Sequence, residues 1–292
     1  MALPEGEIDA YKKAGIIVER AIHKGEKLVK PGTLLLDICE TVESYILDEG
    51  ANLAFPCNIS VNEVAAHYTP PSGDDTVVPH RAIVKIDAGA HIDGCIVDKA
   101  VSVATTQDLK ELVHAAEEAL RNALKIIKPG MYVSLIGKVI ESTIRLHGFK
   151  PIINLSGHQI KKYQLHAGRT IPNFDTRNLV DKVLPGEVYA IEPFATNGAG
   201  LVTATRKAYI YRVLKAPLLP QQLADQLKNY GSLPFAARWI KNFERARLEK
   251  LLDGLVKRGI LAAYPVLVEK AKGMVAQFET TVIVTDDLCL AL

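Results

Sequence analysis

Residues 30–50, KPGTLLLDICETVESYILDEG, and residues 128–148, KPGMYVSLIGKVIESTIRLHG, follow one plan at a separation of 98 positions. In each copy a Pro-Gly breaker ends a run of helical periodicity, and a second helical run closes at a glycine, Gly50 or Gly148. A repeat of 98 residues exceeds the roughly 20–50 residues of a solenoid unit. It favours one domain made of two related halves, although KPG is also a common helix stop.

Strand signals follow the helix pairs. The runs AIVKIDAGA (82–90) and CIVDKAVSVA (95–104) flank Asp93-Gly94, and Asp-Gly between β-rich runs predicts a two-residue hairpin. Helices and antiparallel strands in separate runs indicate an α+β fold. Beyond the hairpin, we expect helices at 34–47 and 109–127 and strands at 187–194, 208–213 and 275–285.

Residues 215–264 differ in composition from the rest. They contain nine Lys and Arg against four Asp and Glu, a net charge of +5 within a chain of net charge +2. Three short helices are predicted, QQLADQLKNY, FAARWIKNF and ARLEKLLDGLVKRG. We expect a helical, winged-helix-like insertion at 215–264 in a catalytic domain formed by 1–214 and 265–292.

Composition excludes several classes of protein. With 292 residues, 48% apolar and 23% charged, the chain is globular rather than disordered. No apolar run approaches the ~20 residues that span a bilayer, and the polar, acidic start is unlike a signal peptide. The four cysteines lack CxxC spacing, which argues against a disulfide framework or a thiolate zinc site. We therefore expect a cytoplasmic protein without a membrane partner, and the small net charge argues against a dedicated nucleic-acid binder.

The hairpin sets two carboxylates on one face. With the turn at 93–94, paired residues sum to 187, so Asp98 lies opposite Gly89 and Asp87 lies two residues from it. The carboxylates are then diagonal neighbours, with Cα atoms ~7–8 Å apart. We expect Gly89 to leave open space between them. Buried acids so placed repel each other unless a cation intervenes, although this spacing alone is weak evidence.

Two further acids and one imidazole extend the set. Glu192 lies in the apolar run YAIEPF and Glu279 in AQFETTVIV, where a buried charge needs a partner; each alone could instead face solvent. His158 follows Gly157 in a turn-like stretch. Four carboxylates and one imidazole suit a pair of divalent ions such as Mn, Fe, Co or Zn, and they balance two dipositive charges.

Asp87, Asp98, His158, Glu192 and Glu279 follow the order and local context of the metal ligands of the methionine aminopeptidases, and the chain resembles the type II branch in its short archaeal form. The blocks that carry the resemblance cover nearly the whole chain: FPCNISVNEVAAHYTPPSGD, VKIDAGAHIDGCIVDKAVSV, LSGHQIKKYQLHAGRTIPN, YAIEPFATNGAG and AQFETT. The resemblance implies the pita-bread fold, with pseudo-two-fold halves and the helical insertion typical of type II.

The resemblance also implies roles for individual residues. A metal-bridging hydroxide would attack the first peptide bond of a polypeptide that begins with methionine. Glu192 would move the proton, His166 would stabilise the oxyanion, and His67 would contact the departing nitrogen. The methionine side chain would enter a pocket formed by Phe55, Leu165 and Tyr264. Two sites depart from the family pattern: Thr280 replaces a common histidine, and Cys57 replaces a small or aliphatic residue.

The partners implied are nascent polypeptides with N-terminal methionine, and we expect a monomer with a weak ribosome contact at most. Two other functions stay open. One is a proline-specific peptidase of the same fold, although prolidase and aminopeptidase P carry a large additional N-terminal domain. The other is a non-catalytic pita-bread protein that binds ribosomes or RNA. The remaining histidines are interpreted as surface or helix residues without a role: His23, His80, His91, His114 and His147.

Overall fold

The computed structural model of the protein describes residues 3–177 and 179–292. Over these residues the chain forms six α-helices and fifteen strands, arranged in four antiparallel sheets. The helices are α1 (Glu5–Leu28), α2 (Leu35–Asp48), α3 (Lys110–Ile126), α4 (Val133–Leu146), α5 (Gln221–Leu227) and α6 (Arg245–Lys257). The strands are β1 (Asn52–Val61), β2 (Val64–Ala66), β3 (Ile83–Ile92), β4 (Cys95–Ala104), β5 (Lys150–Pro151), β6 (Ser156–Ile160), β7 (Thr170–Pro172), β8 (Val188–Ile191), β9 (Phe194–Thr196), β10 (Val202–Val213), β11 (Phe235–Ala236), β12 (Leu261–Glu269), β13 (Val275–Gln277), β14 (Thr280–Val284) and β15 (Cys289–Ala291).

The two halves of the molecule repeat one arrangement of helices on a sheet. In the first half α1 and α2 pack on the sheet β1-β3-β4, and in the second half α3 and α4 pack against the sheet β15-β14-β8-β6-β7. Helix positions 98 residues apart are fully buried in both halves: Ile38, Val42 and Ile46 in α2, and Ile136, Ile140 and Ile144 in α4.

The glycines of the repeat have matching backbone conformations. Gly32 and Gly130 have φ of +87° and +80°, and Gly50 and Gly148 have φ of +80° and +81°. These left-handed values favour glycine, and the second pair follows the last turn of α2 and α4. The α+β fold with two related halves is therefore confirmed.

The hairpin β3–β4 has the register that the sequence predicts. Asp98 pairs with Gly89 across the ladder, and Asp93 and Gly94 form the turn with φ of +50° and +85°. Positive φ at both central residues is the type I′ geometry that matches strand twist. The hairpin thus sets Asp87 and Asp98 on one face of the sheet.

Two expected long strands are each divided into a pair of shorter ones. The predicted strand at 187–194 breaks into β8 and β9 at Glu192-Pro193, and the predicted strand at 275–285 breaks into β13 and β14 at Phe278-Glu279. The β9–β13 ladder belongs to one sheet and the β8–β14 ladder to another. Both glutamates therefore lie where the chain passes between two sheets. At the first junction Pro193 has no N–H to continue a ladder.

Residues 215–264 enclose a hydrophobic cluster of their own against β10 and β12. Buried side chains of α5 and α6 meet Tyr211 and Phe235 there. The expectation of a helix at FAARWIKNF (235–243) is wrong in this segment, because Phe235 and Ala236 pair with Tyr211 and Ile210 as strand β11. A single turn of 3-10 helix follows at Ala237–Trp239.

No helix among residues 3–177 and 179–292 combines the length and the apolar character that a membrane crossing requires.

Candidate metal centre and substrate cavity

Both halves of the fold contribute side chains to one cavity of about 360 Å³. β3 and β4 supply Asp87 and Asp98 from the first half. His158 comes from β6, and Glu192 and Glu279 come from the two strand junctions of the second half. The structure thus brings together all five residues expected as metal ligands.

The backbone joins the halves at this cavity. The amide N–H of Glu279 donates to the carbonyl of Ala100 at 2.9 Å, and the N–H of Asp98 donates to Oγ1 of Thr281 at 2.7 Å. These bonds fix β4 against the β13–β14 junction. The position of Glu279 relative to Asp98 is therefore set by a main-chain bond and by the buried Thr281 hydroxyl.

The donor atoms lie at distances that suit a shared ion. Nε2 of His158 is 3.5 Å from Oδ2 of Asp98 and 3.7 Å from Oε1 of Glu192, which is too long for hydrogen bonds. One donor atom from each of Asp98, His158 and Glu279 lies within 4.8 Å of the others. Ligands around one divalent ion have spacings of this order, since each bond is ~2.0–2.2 Å.

Several of these donor atoms have no hydrogen-bond partner although they are buried. Among the described residues they include Oδ1 of Asp87, Oδ1 of Asp98 and Oε1 of Glu279. A buried carboxylate oxygen without a partner is costly, and a bound cation removes that cost. The residues present therefore fit a divalent metal centre.

The pKa values of these carboxyl groups reflect their burial and the repulsion between their negative charges. Burial, followed by the charge of Asp98, raises the pKa of Asp87, Glu192 and Glu279 well above the ordinary range. Burial likewise raises the pKa of Asp98 to about 7 and lowers the pKa of His158 to about 4. Four buried acids and a neutral imidazole favour a dication strongly.

Three residues that the sequence did not indicate hold the expected ligands in place. Asn58 donates from Nδ2 to Oδ2 of Asp87 at 3.4 Å, and Gln277 donates from Nε2 to Oε2 of Glu279 at 3.1 Å. The hydroxyl of Thr281 donates to the carbonyl of Asp98 at 3.0 Å. Polar partners of this kind orient metal ligands. Their only sequence signal is a polar residue within an apolar strand.

The two histidines expected to contact substrate face the same cavity. The ring centroid of His166 is 4.4 Å from that of His158 and 6.1 Å from that of Tyr264. His67 lies edge-on to Tyr264, with centroids 5.6 Å apart. Nδ1 of His67 is 3.2 Å from the carbonyl oxygen of Pro265, so it is the donor and Nε2 stays free as an acceptor.

Burial keeps both of these imidazoles neutral. It is the main cause that lowers the pKa of His166 to about 3, with smaller contributions from His158, His67 and Arg212. Burial also lowers the pKa of His67. A neutral imidazole offers one N–H donor and one acceptor.

Apolar side chains complete the cavity wall. Phe55, Leu165 and Tyr264 all line it, as expected. The expected open space at Gly89 is absent, because the Phe55 ring occupies it: a Cβ at Gly89 would lie 2.3 Å from Cε1 of Phe55. The glycine therefore permits the close approach of Phe55 to β3.

Some residues lie elsewhere than expected. His91 is buried in β3 rather than on the surface, and its Nδ1 accepts the N–H of Gly94 at 3.2 Å, which stabilises the hairpin turn. Neither site that departs from the family pattern lines the cavity. The hydroxyl of Thr280 donates to the carbonyl of Leu292, and Cys57 donates its N–H to Glu43.

The family model of metallopeptidase family M24 matches residues 9–286, and the chain belongs to this family. Its similar relatives include "Methionine aminopeptidase" of Pyrococcus horikoshii, which is 45% identical over 287 residues, 96% of this chain and 97% of the relative.

Solved structures agree in fold. A methionine aminopeptidase of Thermotoga maritima aligns over 100% of this chain and 98% of its own at a TM-score of 0.75 and 24% identity. A thermophilic Arx1 aligns over 99% of this chain and 91% of its own at a TM-score of 0.83 and 19% identity. At these identities the likeness establishes the pita-bread fold alone.

Proposed function

We propose that this metallopeptidase is an aminopeptidase that removes the N-terminal methionine from polypeptides, and that the cavity of Asp87, Asp98, His158, Glu192 and Glu279 is its active site. The observation that carries the assignment is the convergence of these five donors, in a chain of family M24, beside an apolar wall. The similarity in length and sequence to methionine aminopeptidases supports methionine over proline as the recognised residue.

We assign two divalent ions to the five ligands, because four carboxylates balance two dipositive charges. Oxygen and imidazole donors are compatible with Mn, Fe, Co or Zn. Divalent ions held by these residues would lower the pKa of a water and polarise a substrate carbonyl. Asn58 and Gln277 keep one oxygen each of Asp87 and Glu279 occupied, which leaves the opposite oxygens for the ions.

The remaining side chains act on protons and on the developing charge. A carboxylate oxygen of Glu192 accepts the proton of the attacking water and passes it to the departing amine nitrogen. The N–H of the neutral His166 ring donates to the carbonyl oxygen as negative charge forms on it. Nε2 of His67 accepts the N–H of the scissile amide, because its Nδ1 is held by the carbonyl of Pro265.

Selectivity for methionine follows from the apolar wall. Phe55 and Leu165 are nearly fully buried, and the Phe55 ring is fixed against Gly89. An unbranched thioether fits a pocket bounded by Phe55, Leu165 and Tyr264, since methionine is flexible and makes favourable contacts with aromatic rings. A charged first residue would lose its hydration there without a partner.

The decisive experiment pairs metal analysis with substrate choice. Protein purified without added metal is loaded with Mn, Fe, Co or Zn and assayed on Met-Ala-Ser and on Xaa-Pro peptides. We expect release of methionine from the first and no cleavage of the second. Asp98→Asn should lose activity and the metal bound in the cavity while keeping the fold. Cleavage of Xaa-Pro peptides alone, or full activity of Asp98→Asn, would contradict the assignment.

We further propose that residues 215–264 form an insertion subdomain whose basic surface touches ribosomal RNA weakly. The net charge of +5 and a hydrophobic cluster within the segment support it. Co-sedimentation with ribosomes should weaken steeply as salt rises, because phosphate contacts release counterions. Replacement of the exposed Arg245, Arg247 and Lys250 by glutamine should abolish co-sedimentation and leave peptide cleavage intact; unchanged co-sedimentation would exclude this surface.

A further inference from the structure

A second group of metal-binding side chains lies outside the cavity, on the outer face of the second half. His114 and Glu118 belong to α3, and His147 caps the C-terminal end of α4. One donor atom from each of the three lies within 4.8 Å of the others. None of the three lines the substrate cavity, so the group is separate from the active site.

The two imidazoles present the same nitrogen to one carboxylate. Nε2 of His147 is 2.7 Å from Oε2 of Glu118, and Nε2 of His114 is 3.5 Å from the same oxygen. The rings are perpendicular, with centroids 5.3 Å apart. The three donors thus lie together at the protein surface, within 4.8 Å of one another.

The opposite nitrogen of each ring faces a different carboxylate. Nδ1 of His147 is 2.7 Å from Oε1 of Glu111, and Nδ1 of His114 is 3.9 Å from Oε2 of Glu117. A metal-binding histidine commonly donates its other N–H to a carboxylate, which fixes the tautomer and makes the free nitrogen a better ligand. Glu111 stands in that relation to His147.

Backbone geometry preorganises this group. His114 and Glu118 are four residues apart on α3 and lie on one face of the helix. His147 is followed by Gly148, whose φ of +81° ends α4 and turns the chain away. The side chain of His147 is only 15% exposed, so α3 and α4 hold it between Glu111 and Glu118.

Size and charge both favour a dication at this point. Four ligands at ~2.0 Å around a tetrahedral ion are separated by ~3.3 Å, close to the 3.5 Å between His114 and Glu118. The 2.7 Å contact of His147 with Glu118 would have to lengthen by about 0.6 Å around such an ion, which a rotation of the partly exposed Glu118 carboxylate would allow. Three carboxylates with Arg121 nearby leave a net charge of about −2 when both imidazoles are neutral.

We propose that His114, Glu118 and His147 bind one ion of the zinc type, with water as the fourth ligand and Glu111 as the positioning residue for His147. Two imidazoles and one carboxylate suit Zn, Co or Ni rather than Mg or Ca. The bound ion joins α3 to the end of α4 and stabilises the second half independently of catalysis. The competing arrangement is a protonated His147 paired with two glutamates and no ion.

Zinc per chain, measured after equilibrium dialysis at pH 8, separates these arrangements. We expect the double variant His114→Gln/His147→Gln to bind one ion fewer than the wild type. His23→Gln is the matched control, because His23 is a helical histidine beside a single carboxylate, Glu26. Peptide cleavage by all three proteins should be equal, which separates this site from the active site.

Two further measurements make the test independent of any misfolded variant. Glu118→Gln should also lose one ion, and Glu111→Gln should weaken zinc binding ~10- to 100-fold without removing the site. Anomalous diffraction at the zinc edge should place the ion between the Nε2 atoms of His114 and His147. Equal zinc content in the wild type and both ligand variants, or no anomalous peak there, would overturn the proposal in favour of the protonated pair.

Discussion

His166 is the residue whose replacement best separates catalysis from metal binding. Its ring faces the cavity beside His158 but donates to no carboxylate among the described residues. Removing one oxyanion donor typically lowers the rate by ~10²–10³. We expect His166→Ala to lower kcat on a Met-initiated tripeptide by that factor, with metal content unchanged in elemental analysis.

The control for this prediction is His158→Ala, the neighbouring imidazole 4.4 Å away. That variant should lose metal as well as activity, since Nε2 of His158 faces Asp98 and Glu192. If His166→Ala lost metal to the same extent, His166 would be a ligand and the assigned role would be wrong.

At the residue scale, the placement of the carboxylates could be predicted from the sequence, but the polar residues that hydrogen-bond to them could not. Turn chemistry at Asp93-Gly94 fixes the register of the hairpin, and the register fixes Asp87 and Asp98 on one face. Asn58 gave no comparable signal, because it meets Asp87 only once β1 pairs with β3 in the folded chain. Gln277 lies two residues from Glu279 and gave no signal beyond a polar residue in an apolar run. The expectation of open space at Gly89 was wrong, because the Phe55 ring that fills this space belongs to the neighbouring strand β1.

Among the elements, the two loops that follow β9 and β12 are held together by Glu269. Its Oε1 accepts the N–H groups of Ala199 and Gly200, and its Oε2 accepts those of Ala271 and Gly273. Glu269→Gln replaces one acceptor oxygen by a donor and leaves two amides unpaired. We expect a loss of about 2–4 kcal/mol in the free energy of unfolding, measured in urea.

The matched control is Glu249→Gln, which removes an exposed ion pair with Arg245 on α6. Such pairs contribute about 0.3–0.5 kcal/mol, so this variant should unfold close to the wild type. An equally small effect of Glu269→Gln would show that the loops are held by other contacts.

Glu269 also predicts a dependence of stability on pH. Burial disfavours its charged form, but the four amide donors outweigh burial and lower its pKa below the ordinary value. A depressed pKa in the folded state contributes stability above the unfolded pKa of about 4.3, and this is lost as pH falls through the folded pKa. The difference between wild type and Glu269→Gln should therefore be constant near pH 7 and shrink in acid.

At the element scale, the sequence identified helices better than strand ends. Helical periodicity located α2 and α3 within a residue of their observed bounds. The strand breaks at Glu192 and Glu279 were not predicted, because a continuous apolar run looks the same whether the chain stays in one sheet or passes to another. The helix predicted at FAARWIKNF is absent because the first two residues of this run pair with β10, and this tertiary contact overrides helical propensity.

For the whole molecule, the 98-residue repeat was the most informative pattern. Equal glycine conformations and equal burial in both halves follow from it. The repeat could not predict how the two halves meet. There Ala100 of β4 pairs with Glu279, which lies between β13 and β14, and these two segments are not equivalent positions of the repeat. The proposed active site lies at that junction.

Metal binding at the junction should stabilise the whole fold. Without ions the four buried acids repel one another, so ions that bind only the folded chain shift the equilibrium by RT ln(1 + [L]/Kd), about 2.7 kcal/mol at ~100 Kd. We expect Tm to rise on titration with Mn, Fe, Co or Zn. Most of the rise should persist in His114→Gln/His147→Gln, whereas in Asp98→Asn only the smaller rise from an ion at His114, Glu118 and His147 should remain; an equal rise in Asp98→Asn would place the stabilising ions elsewhere.

The contact between residues 215–264 and the first half includes a buried ion pair. Arg238 and Glu43 are 7% and 6% exposed, and Trp239 donates from Nε1 to Oε2 of Glu43 at 3.1 Å. Breaking a buried pair by removing one partner costs about 3–5 kcal/mol, because the other charge stays buried alone. We expect Arg238→Met to destabilise by that amount in urea unfolding.

The double variant Glu43→Gln/Arg238→Met tests whether this loss of stability comes from the unpaired buried charge or from lost packing. The amide oxygen introduced by Glu43→Gln would still accept the N–H of Cys57, and neither substituted side chain would carry a buried charge. The double variant should therefore be less destabilised than the sum of the single variants, a coupling that a double-mutant cycle measures directly. A single unfolding transition of the double variant, with an unchanged m-value, would mean that residues 215–264 unfold together with the rest of the chain. Additive losses would show that Arg238 and Glu43 do not act as a pair in joining residues 215–264 to the first half. A second transition in Arg238→Met would show that residues 215–264 unfold separately when this ion pair is removed.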